Sequence, residues 1–308
     1  MIVLLLTDIL AAQTQQYTDD PGRASDVLLN LRERIPAEDT IWHISVEHSL
    51  LNLYLREGNW RLAIASLDRM MELIPEATEF ELDNSYPSIS GSKRDHMLEI
   101  LIAAYKCEIY SRAGRVLLQI GALPEAEQRF EQARQQHDII SRSGDHSSAA
   151  KELEDHAMIR TIPSVISIND GLMNFSGSKY DEAAESFGKA AEQVRASGTL
   201  IPTYRREDWM GPVVVGSESH HALFSEAINN IALCNLYRCK LDEAIDCIET
   251  LIREDPTAYL TERVAFNLAT LYELSSDAAS SARKKRVLQV ISKRFFLHDI
   301  PAESFRIS

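Results

Sequence analysis

Apolar residues recur along this chain at the three- and four-residue intervals of amphipathic helices, and the helical stretches come in pairs. Each pair spans about 34 residues, with a short turn between its two helices. The same offsets recur in residues 44–77, 107–140, 164–197 and 225–258. One spacing kept in four places predicts an all-helical fold assembled from repeated units.

The spacing within each pair is that of a tetratricopeptide unit, in which a small residue on the first helix lets the second helix pack closely against it. The residues in register are Leu51, Tyr54, Gly58, Trp60, Ala63, Leu67 and Pro75; Gly114, Leu117, Gly121, Leu123, Ala126, Phe130 and Ala133; Gly171, Tyr180, Ala183, Phe187 and Ala190; and Ala232, Leu241, Ala244, Ile248, Leu251 and Pro256. Leu51 is larger than the template prefers. The predicted fold class is all-α: a tetratricopeptide-repeat α-solenoid, a right-handed superhelix of antiparallel helix pairs.

Two regions are expected on this basis, a helical N-terminal segment over residues 1–43 and the solenoid over 44–308. A partial fifth unit, residues 262–296, departs from the repeat pattern and becomes polar, as a capping unit does. Stretches rich in proline, glycine and serine predict loop insertions over residues 76–95 and 198–219. The second insertion is long enough to be either functional or disordered.

Within the N-terminal segment, a helix is expected over residues 25–34, ended by Pro36. The apolar run 1–6 is too short for a membrane span and lacks the basic region of a signal peptide. It is therefore interpreted as the first turn of an amphipathic helix. A shorter loop is predicted over residues 141–149.

Composition and charge narrow the class of ligand. Of the 308 residues, 45% are hydrophobic, and the formal net charge is −14. This negative field repels nucleic acid and anionic lipid, so basic or neutral protein surfaces are the expected partners. The four cysteines, Cys107, Cys234, Cys239 and Cys247, lie in helical patterns and are interpreted as buried small hydrophobic residues of a protein from a reducing compartment.

No pattern indicates catalysis, a cofactor or a metal, and the chain is predicted not to be an enzyme. His220 and His221 follow Glu218, but neighbouring residues point to different sides and no further ligand has a suitable spacing. The basic segments 283–286 and 293–296 are the best candidates for contact with nucleic acid or lipid. A solvated face of a final helix is the favoured interpretation of these cations.

The first helices of stacked pairs line a groove in which extended segments or partner helices dock. The residues predicted to line this groove and bind a partner are His48, Asn52, Arg56, Ser111, Arg115, Ile168, Leu172, Phe175, Asn229, Leu233 and Tyr237. The alternative is that the apolar members of this set contact the next repeat, because groove and inter-repeat faces adjoin.

A cochaperone that grips a C-terminal carboxylate is a separate alternative, and it requires several cations in the groove. Asn52 and Asn230 lie where such a clamp places asparagines. His48, however, stands where a lysine is expected, and Val165 and Asn169 stand where the third repeat would supply cations. The sequence therefore favours another kind of tetratricopeptide adaptor over this clamp.

Three stretches resemble a known family. They are RAGRVLLQIG (112–121), NNIALCNLY (229–237) followed by Lys240 and Leu241, and FNLATLYELSS (266–276). They are similar to subunit 12 of the trafficking protein particle (TRAPP) complex, over the region from Ile41 to the C-terminus. The last stretch departs from the generic repeat pattern and is followed, as in that family, by a Lys-Lys helix and a short tail.

The resemblance implies a non-catalytic scaffold subunit of the TRAPP III form of a tethering complex, which acts in traffic from the endoplasmic reticulum to the Golgi and in autophagy. It implies other subunits of that complex as partners, in particular subunits 8 and 11, and no cofactor. It also implies a cytoplasmic protein that reaches intermediate or Golgi membranes only through the complex. Family members carry a long polar region before the first repeat, and the insertion 198–219 is longer than the family's spacing.

Overall fold

The computed structural model describes residues 21–37, 39–85, 87–144, 153, 156–197, 220–275, 278–298 and 300–306. Regular structure in these residues is helical, and they contain no β-strand. The predicted insertion 198–219 and residues 1–20 of the predicted N-terminal segment lie outside the described residues. The prediction of an all-α fold is confirmed.

The helices are α1 (Pro21–Arg34), α2 (Thr40–Glu57), α3 (Trp60–Ser85), α4 (Ser92–Gln119), α5 (Leu123–Gly144), α6 (Ala157–Ser176), α7 (Tyr180–Ala196), α8 (His220–Tyr237), α9 (Leu241–Glu254), α10 (Pro256–Tyr259), α11 (Glu262–Leu274), α12 (Ala278–Arg294) and a 3-10 turn (Ala302–Phe305). The helices that start at Trp60, Leu123, Tyr180 and Leu241 are the second helices of the four units. Each starts two residues after the turn residue of its unit.

The four turns between paired helices have the same backbone. Gly58, Gly121, Ser178 and Cys239 have φ values of 70°, 76°, 58° and 61°. In every turn the next residue donates its N–H to a carbonyl five residues back, at 2.8 to 3.0 Å. This left-handed C-cap satisfies orphan carbonyls at the helix end and reverses the chain. Four such turns make antiparallel helix pairs of the tetratricopeptide type.

Close packing of each pair depends on the residue facing the second helix. A Cβ atom added at Gly114 would lie 2.4 Å from the Phe130 ring, and one added at Gly171 would lie 2.5 Å from the Phe187 ring. Both rings are at most 1% exposed. The alanines in register on the second helices are fully buried: Ala63, Ala126, Ala183 and Ala244. Small residues therefore set the distance between paired helices.

The chain divides into two compact units between Ile162 and Pro163. The first unit includes a core cluster formed by Leu82, Met97, Ile100, Leu101 and Leu153. The second unit contains two clusters. One is built around Phe187, Leu223 and Phe224, and the other around Leu268, Tyr272 and Phe305.

The prediction of a loop over residues 76–95 is wrong in most of its length. Helix α3 continues past Pro75 to Ser85, and α4 begins at Ser92. A proline inside a helix removes one backbone hydrogen bond. The following turns offset that loss by burying Ala77, Thr78 and Leu82, which are at most 1% exposed. The loop predicted over 141–149 is also shorter, because α5 extends to Gly144.

Both ends of the described chain add structure to the repeats. Helix α1 begins at Pro21, ahead of the predicted start at residue 25. At the other end, α11 and α12 are followed by the 3-10 turn, whose Phe305 is 2% exposed. Arg306 forms an ion pair with Glu273 at 2.9 Å. The tail is thus packed against the last helix pair.

Candidate protein-binding surfaces

A buried carboxylate joins the first three helices. Glu47 on α2 is 2% exposed, and its Oε1 accepts hydrogen bonds from Arg32 of α1 at 3.2 Å and from Arg69 of α3 at 2.8 Å. Charge-assisted bonds of this kind are among the strongest in proteins. Sequence reasoning missed Glu47, because its position in an amphipathic pattern gives no sign of charged partners on two other helices.

Three predicted groove residues lie along one face of α2. Asn52 and Arg56 are exposed, whereas His48 is half-buried. The amide nitrogen of Asn52 lies 3.5 Å from Nδ1 of His48. Burial, and then the positive charge of Arg112, lower the pKa of His48 to about 4. The imidazole is therefore neutral at physiological pH and supplies no cation for a carboxylate ligand.

The prediction that Ser111 lines an accessible surface is wrong. Ser111 is fully buried, and its hydroxyl donates to the Cys107 carbonyl at 2.8 Å. A serine that bonds back four residues satisfies its polar atom within its own helix. Arg115 on the same helix is half-buried, so only part of its side chain is open to solvent.

Two predicted groove residues in the second compact unit, which begins at Pro163, are also buried. Ile168 is fully buried in the core cluster of Phe187, and Asn229 is 3% exposed. The amide of Asn267 on α11 donates to Oδ1 of Asn229 at 2.8 Å. Asn229 thus joins α8 to α11. Ile168 is an apolar member of the set, and its place in one core cluster with Leu223 and Phe224 of the next helix pair agrees with the alternative that such residues contact the next repeat.

The remaining predicted residues of the second unit are open to solvent in part. Leu172, Phe175 and Leu233 are half-buried, and Tyr237 is 56% exposed. The Tyr237 ring stacks on Tyr180, with centroids 5.0 Å apart. Phe175 packs edge-on against both tyrosines, with centroid distances of 5.3 Å to Tyr180 and 5.2 Å to Tyr237. Such stacked and edge-to-face pairs add to the stability of ring clusters.

The structure brings these rings together from three helix ends. Phe175 is at the end of α6, Tyr180 starts α7 and Tyr237 ends α8. An ion pair beside them, between Arg238 and Asp181 at 2.7 Å, holds α8 against α7. We call Phe175, Tyr180 and Tyr237 the aromatic cluster. Its exposed ring offers a rigid apolar contact with a polar hydroxyl, a combination common at protein interfaces.

The cysteines divide by environment. Cys107 and Cys234 are buried, Cys247 is half-buried and Cys239 is exposed, so the prediction that all four are buried is wrong for Cys239. Burial raises the pKa of Cys234 to about 11. Among the described residues, no three His, Cys, Asp or Glu side chains are grouped to hold a metal ion. The side chains of His220 and His221, for which the sequence predicts no metal site, lie outside the described residues.

None of the described helices has both the length and the apolar composition of a membrane span.

Comparison with known proteins finds a partial sequence match. A segment of 68 residues is 40% identical to trafficking protein particle complex subunit 12 of Mus musculus, covering 22% of this chain and 8% of that protein. A segment of 66 residues is 41% identical to the Homo sapiens protein of the same name, covering 21% and 9%. The match spans less than a tenth of either relative. The predicted resemblance is thus confirmed for a segment of the chain.

Other comparisons add little. No protein-family model matches the chain. Among solved structures, BtubC (BKLC) from P. vanneervenii covers 93% of this chain and 91% of its own, at 18% identity and a TM-score of 0.42. The TPR2AB-domain:pHSP90 complex of yeast Sti1 covers 96% and 94%, at 13% identity and a TM-score of 0.30. Both likenesses are too distant to support a function.

Proposed function

We propose that this chain is a non-catalytic scaffold subunit of a TRAPP III-like vesicle-tethering complex. Its role is to hold other subunits together in traffic between the endoplasmic reticulum and the Golgi and in autophagy. The proposed partners are the other subunits of that assembly, in particular subunits 8 and 11. Membrane association takes place through the complex, from the cytoplasm.

The observation that carries this proposal is the 68-residue segment that is 40% identical to subunit 12 of a TRAPP complex. The architecture is compatible with it, because repeated helix pairs present long exposed helix faces. Solenoids of this kind act by binding proteins.

Purification from the source cells tests the proposal. The tagged full chain is isolated at moderate salt, and proteins retained in stoichiometric amount are identified by mass spectrometry. The expected result is recovery of TRAPP subunits, with subunits 8 and 11 among them. Recovery of a different stable partner, with no TRAPP subunit, would overturn the tethering role and leave the fold unchanged.

A variant pair examines whether the aromatic cluster takes part in this binding. Tyr237→Ser removes a ring that is 56% exposed, whereas Tyr237→Phe keeps the ring and removes only its hydroxyl. If the cluster contacts a subunit, the serine variant recovers about tenfold less of that subunit, as expected for an aromatic hot spot. The phenylalanine variant should recover nearly the wild-type amount. Equal recovery with all three proteins would exclude the cluster from the interface.

A general tetratricopeptide adaptor, unrelated to tethering, is the second candidate. The exposed and pre-positioned Tyr237 ring favours it, since such a ring suits a short peptide as well as a large subunit. The cochaperone form of this candidate requires a cationic clamp, and His48 is held neutral. Chaperones retained by the tagged chain in place of TRAPP subunits would establish this second candidate.

A further inference from the structure

Helix α12 has an unusual charge for this protein. The chain contains 46 acidic residues and has a net charge of −14. Helix α12, Ala278–Arg294, contains no acidic residue, and its cations are Arg283, Lys284, Lys285, Arg286, Lys293 and Arg294. A basic helix in an acidic protein concentrates attraction for anionic groups at one place.

Two of these cations hold the helix in the fold. Lys284 binds Glu249 at 3.1 Å. Lys285, whose side chain is 10% exposed, binds Glu273 at 3.0 Å and the Arg306 carbonyl at 2.6 Å. The residues of α12 that face the protein are Ser281, Lys285, Leu288 and Ser292. Their spacing of four, three and four residues defines one side of the helix.

The opposite side of α12 is open. Arg283, Val287, Val290 and Arg294 follow each other at the same spacing and are exposed, with Val287 at 52% and Val290 at 62%. Arg286 and Lys293 are exposed beside them. The four exposed cations of this side form no ion pair with any other described residue. We call Arg283, Arg286, Val287, Val290, Lys293 and Arg294 the basic-apolar face.

We infer that the basic-apolar face is a docking surface for an acidic amphipathic helix of a partner protein. Glutamate or aspartate side chains of the partner neutralise the exposed cations, and apolar side chains between them cover the two valines. The strip is one helix face wide, which is the width that a single partner helix covers. The inference refines the proposed scaffold role and rests on it.

Charge also selects between an acidic protein helix and an anionic bilayer. A bilayer is a broad surface, and the net charge of −14 on this chain opposes its approach to anionic lipid. An acidic helix is narrow and meets only the cations. The two exposed valines lie between the cations at a helical spacing, which the apolar face of a partner helix can match. The inference therefore commits to a protein partner.

A designed peptide tests the surface directly. The probe is a fluorescein-labelled helical peptide about 18 residues long, with leucine on one face and glutamate on both flanks. Its affinity for the purified full chain is measured by fluorescence anisotropy at low salt. We expect R283Q/R286Q/K293Q/R294Q to raise Kd about tenfold and V287T/V290T to raise it about threefold. A scrambled peptide with the same composition should bind about fivefold more weakly than the designed one.

A matched control keeps the total charge change constant. Arg61, Lys179, Lys189 and Arg263 are exposed cations on other elements. The variant R61Q/K179Q/K189Q/R263Q also removes four positive charges, and it should retain the wild-type Kd within about twofold. Equal loss in both quadruple variants would overturn the inference, because the attraction would then depend only on net charge.

Two further measurements test whether lipid or a second copy of this chain occupies the basic-apolar face instead. Tight binding of anionic phosphatidylserine vesicles, lost in R283Q/R286Q/K293Q/R294Q, combined with no peptide binding, would replace the protein partner with a lipid surface. A dimer in light scattering that the same variant abolishes would make a second copy the occupant. In purification from cells, failure of the scaffold role means that wild-type chain recovers no subunits. Failure of this inference alone means that wild type and variant recover the same subunits.

Discussion

The ring of Phe130 occupies the space in which a side chain on Gly114 would stand. A Cβ atom built at Gly114 lies 2.4 Å from that ring, well inside the contact distance of two carbons. Gly171 and Phe187 repeat this relationship one unit later, at 2.5 Å. In the fourth unit the corresponding residues are Ala232 and Ile248, a larger first residue with a smaller second one. In these three units a small first residue faces a larger second one, whereas the first unit has Leu51 and Leu67 at these positions.

Gly114→Ala should therefore destabilise the protein although alanine is the better helix former. Alanine favours a helix by up to about 1 kcal/mol, whereas overpacking against a buried ring costs about 1 to 3 kcal/mol. Because an approach of 2.4 Å places this site in the upper half of that cost range, the expected net loss is about 1 to 2 kcal/mol in the free energy of unfolding, measured with urea. Adding Phe130→Leu to Gly114→Ala should recover part of it, because the shorter side chain frees space.

Gly188 is the control for that substitution. It is also a helical glycine, but a Cβ atom there would meet nothing within 4 Å. Gly188→Ala should stabilise the protein by up to about 1 kcal/mol through helix propensity alone. The two glycine-to-alanine substitutions are thus expected to change the free energy of unfolding in opposite directions. A stabilising Gly114→Ala would contradict the close approach of α4 and α5.

The turns provide a second prediction. Ser178 and Cys239 are exposed and adopt the left-handed backbone that glycine adopts at Gly58 and Gly121. Replacing Ser178 or Cys239 with glycine should raise the unfolding free energy by about 0.5 to 1 kcal/mol, because the strain of a side chain at positive φ is removed. Gly121→Ala should lower it by about 1 kcal/mol. Thermal unfolding of the three variants would be compared, and equal midpoints would argue against a shared turn.

The fold was predictable from the sequence because its main determinant is local. A small residue on one helix, a turn and an apolar face on the next helix recur at fixed offsets, as at Gly114, Gly121 and Phe130. Where the local signal failed, tertiary burial was the cause. Pro75 indicated a helix end, but α3 continues because Thr78 and Leu82 are buried beyond it.

The candidate surfaces were less predictable. Position in the repeat indicated a groove residue at Ser111 and Asn229, yet both are buried, since the faces of neighbouring helices overlap. The sequence predicts the aromatic cluster in part, because it places Tyr237 and Phe175 in the groove and Tyr180 only in the repeat register. Pairing between side chains of different helices, as at Glu47, depends on three-dimensional position and leaves no mark on local spacing.

Glu47 supports a prediction about the first unit. In Glu47→Gln, the bond from Arg69 at 2.8 Å and the bond from Arg32 at 3.2 Å lose their charged acceptor, and the buried amide brings an NH2 group to the arginines. The side chains of Arg32 and Arg69 are 31% and 38% exposed and remain partly hydrated, so the cost should be moderate, about 1 to 3 kcal/mol. Glu72→Gln, an exposed change on α3, should stay within about 0.5 kcal/mol. Urea unfolding measures both, and equal effects would exclude a structural role for Glu47.

His48 makes a prediction about acid stability. Its pKa is lowered from 6.5 to about 4 in the folded chain, by burial first and by Arg112 second. Between these values the unfolded chain binds a proton that the folded chain does not. Stability from this group is therefore fully present above about pH 6.5 and is lost as pH falls toward 4, by about 3 kcal/mol in all.

Paired pH titrations of stability isolate this contribution from the carboxylates that titrate in the same range. His48→Gln removes the titrating ring, so the difference in unfolding free energy between wild type and variant should shrink as pH falls from 7 to about 4.5. His298→Gln is the control, because His298 is exposed. The His48→Gln difference is compared with that of His298→Gln at each pH. If the His48→Gln difference were constant across the range, His48 would not be held neutral by its surroundings, and it could then supply a cation to the groove.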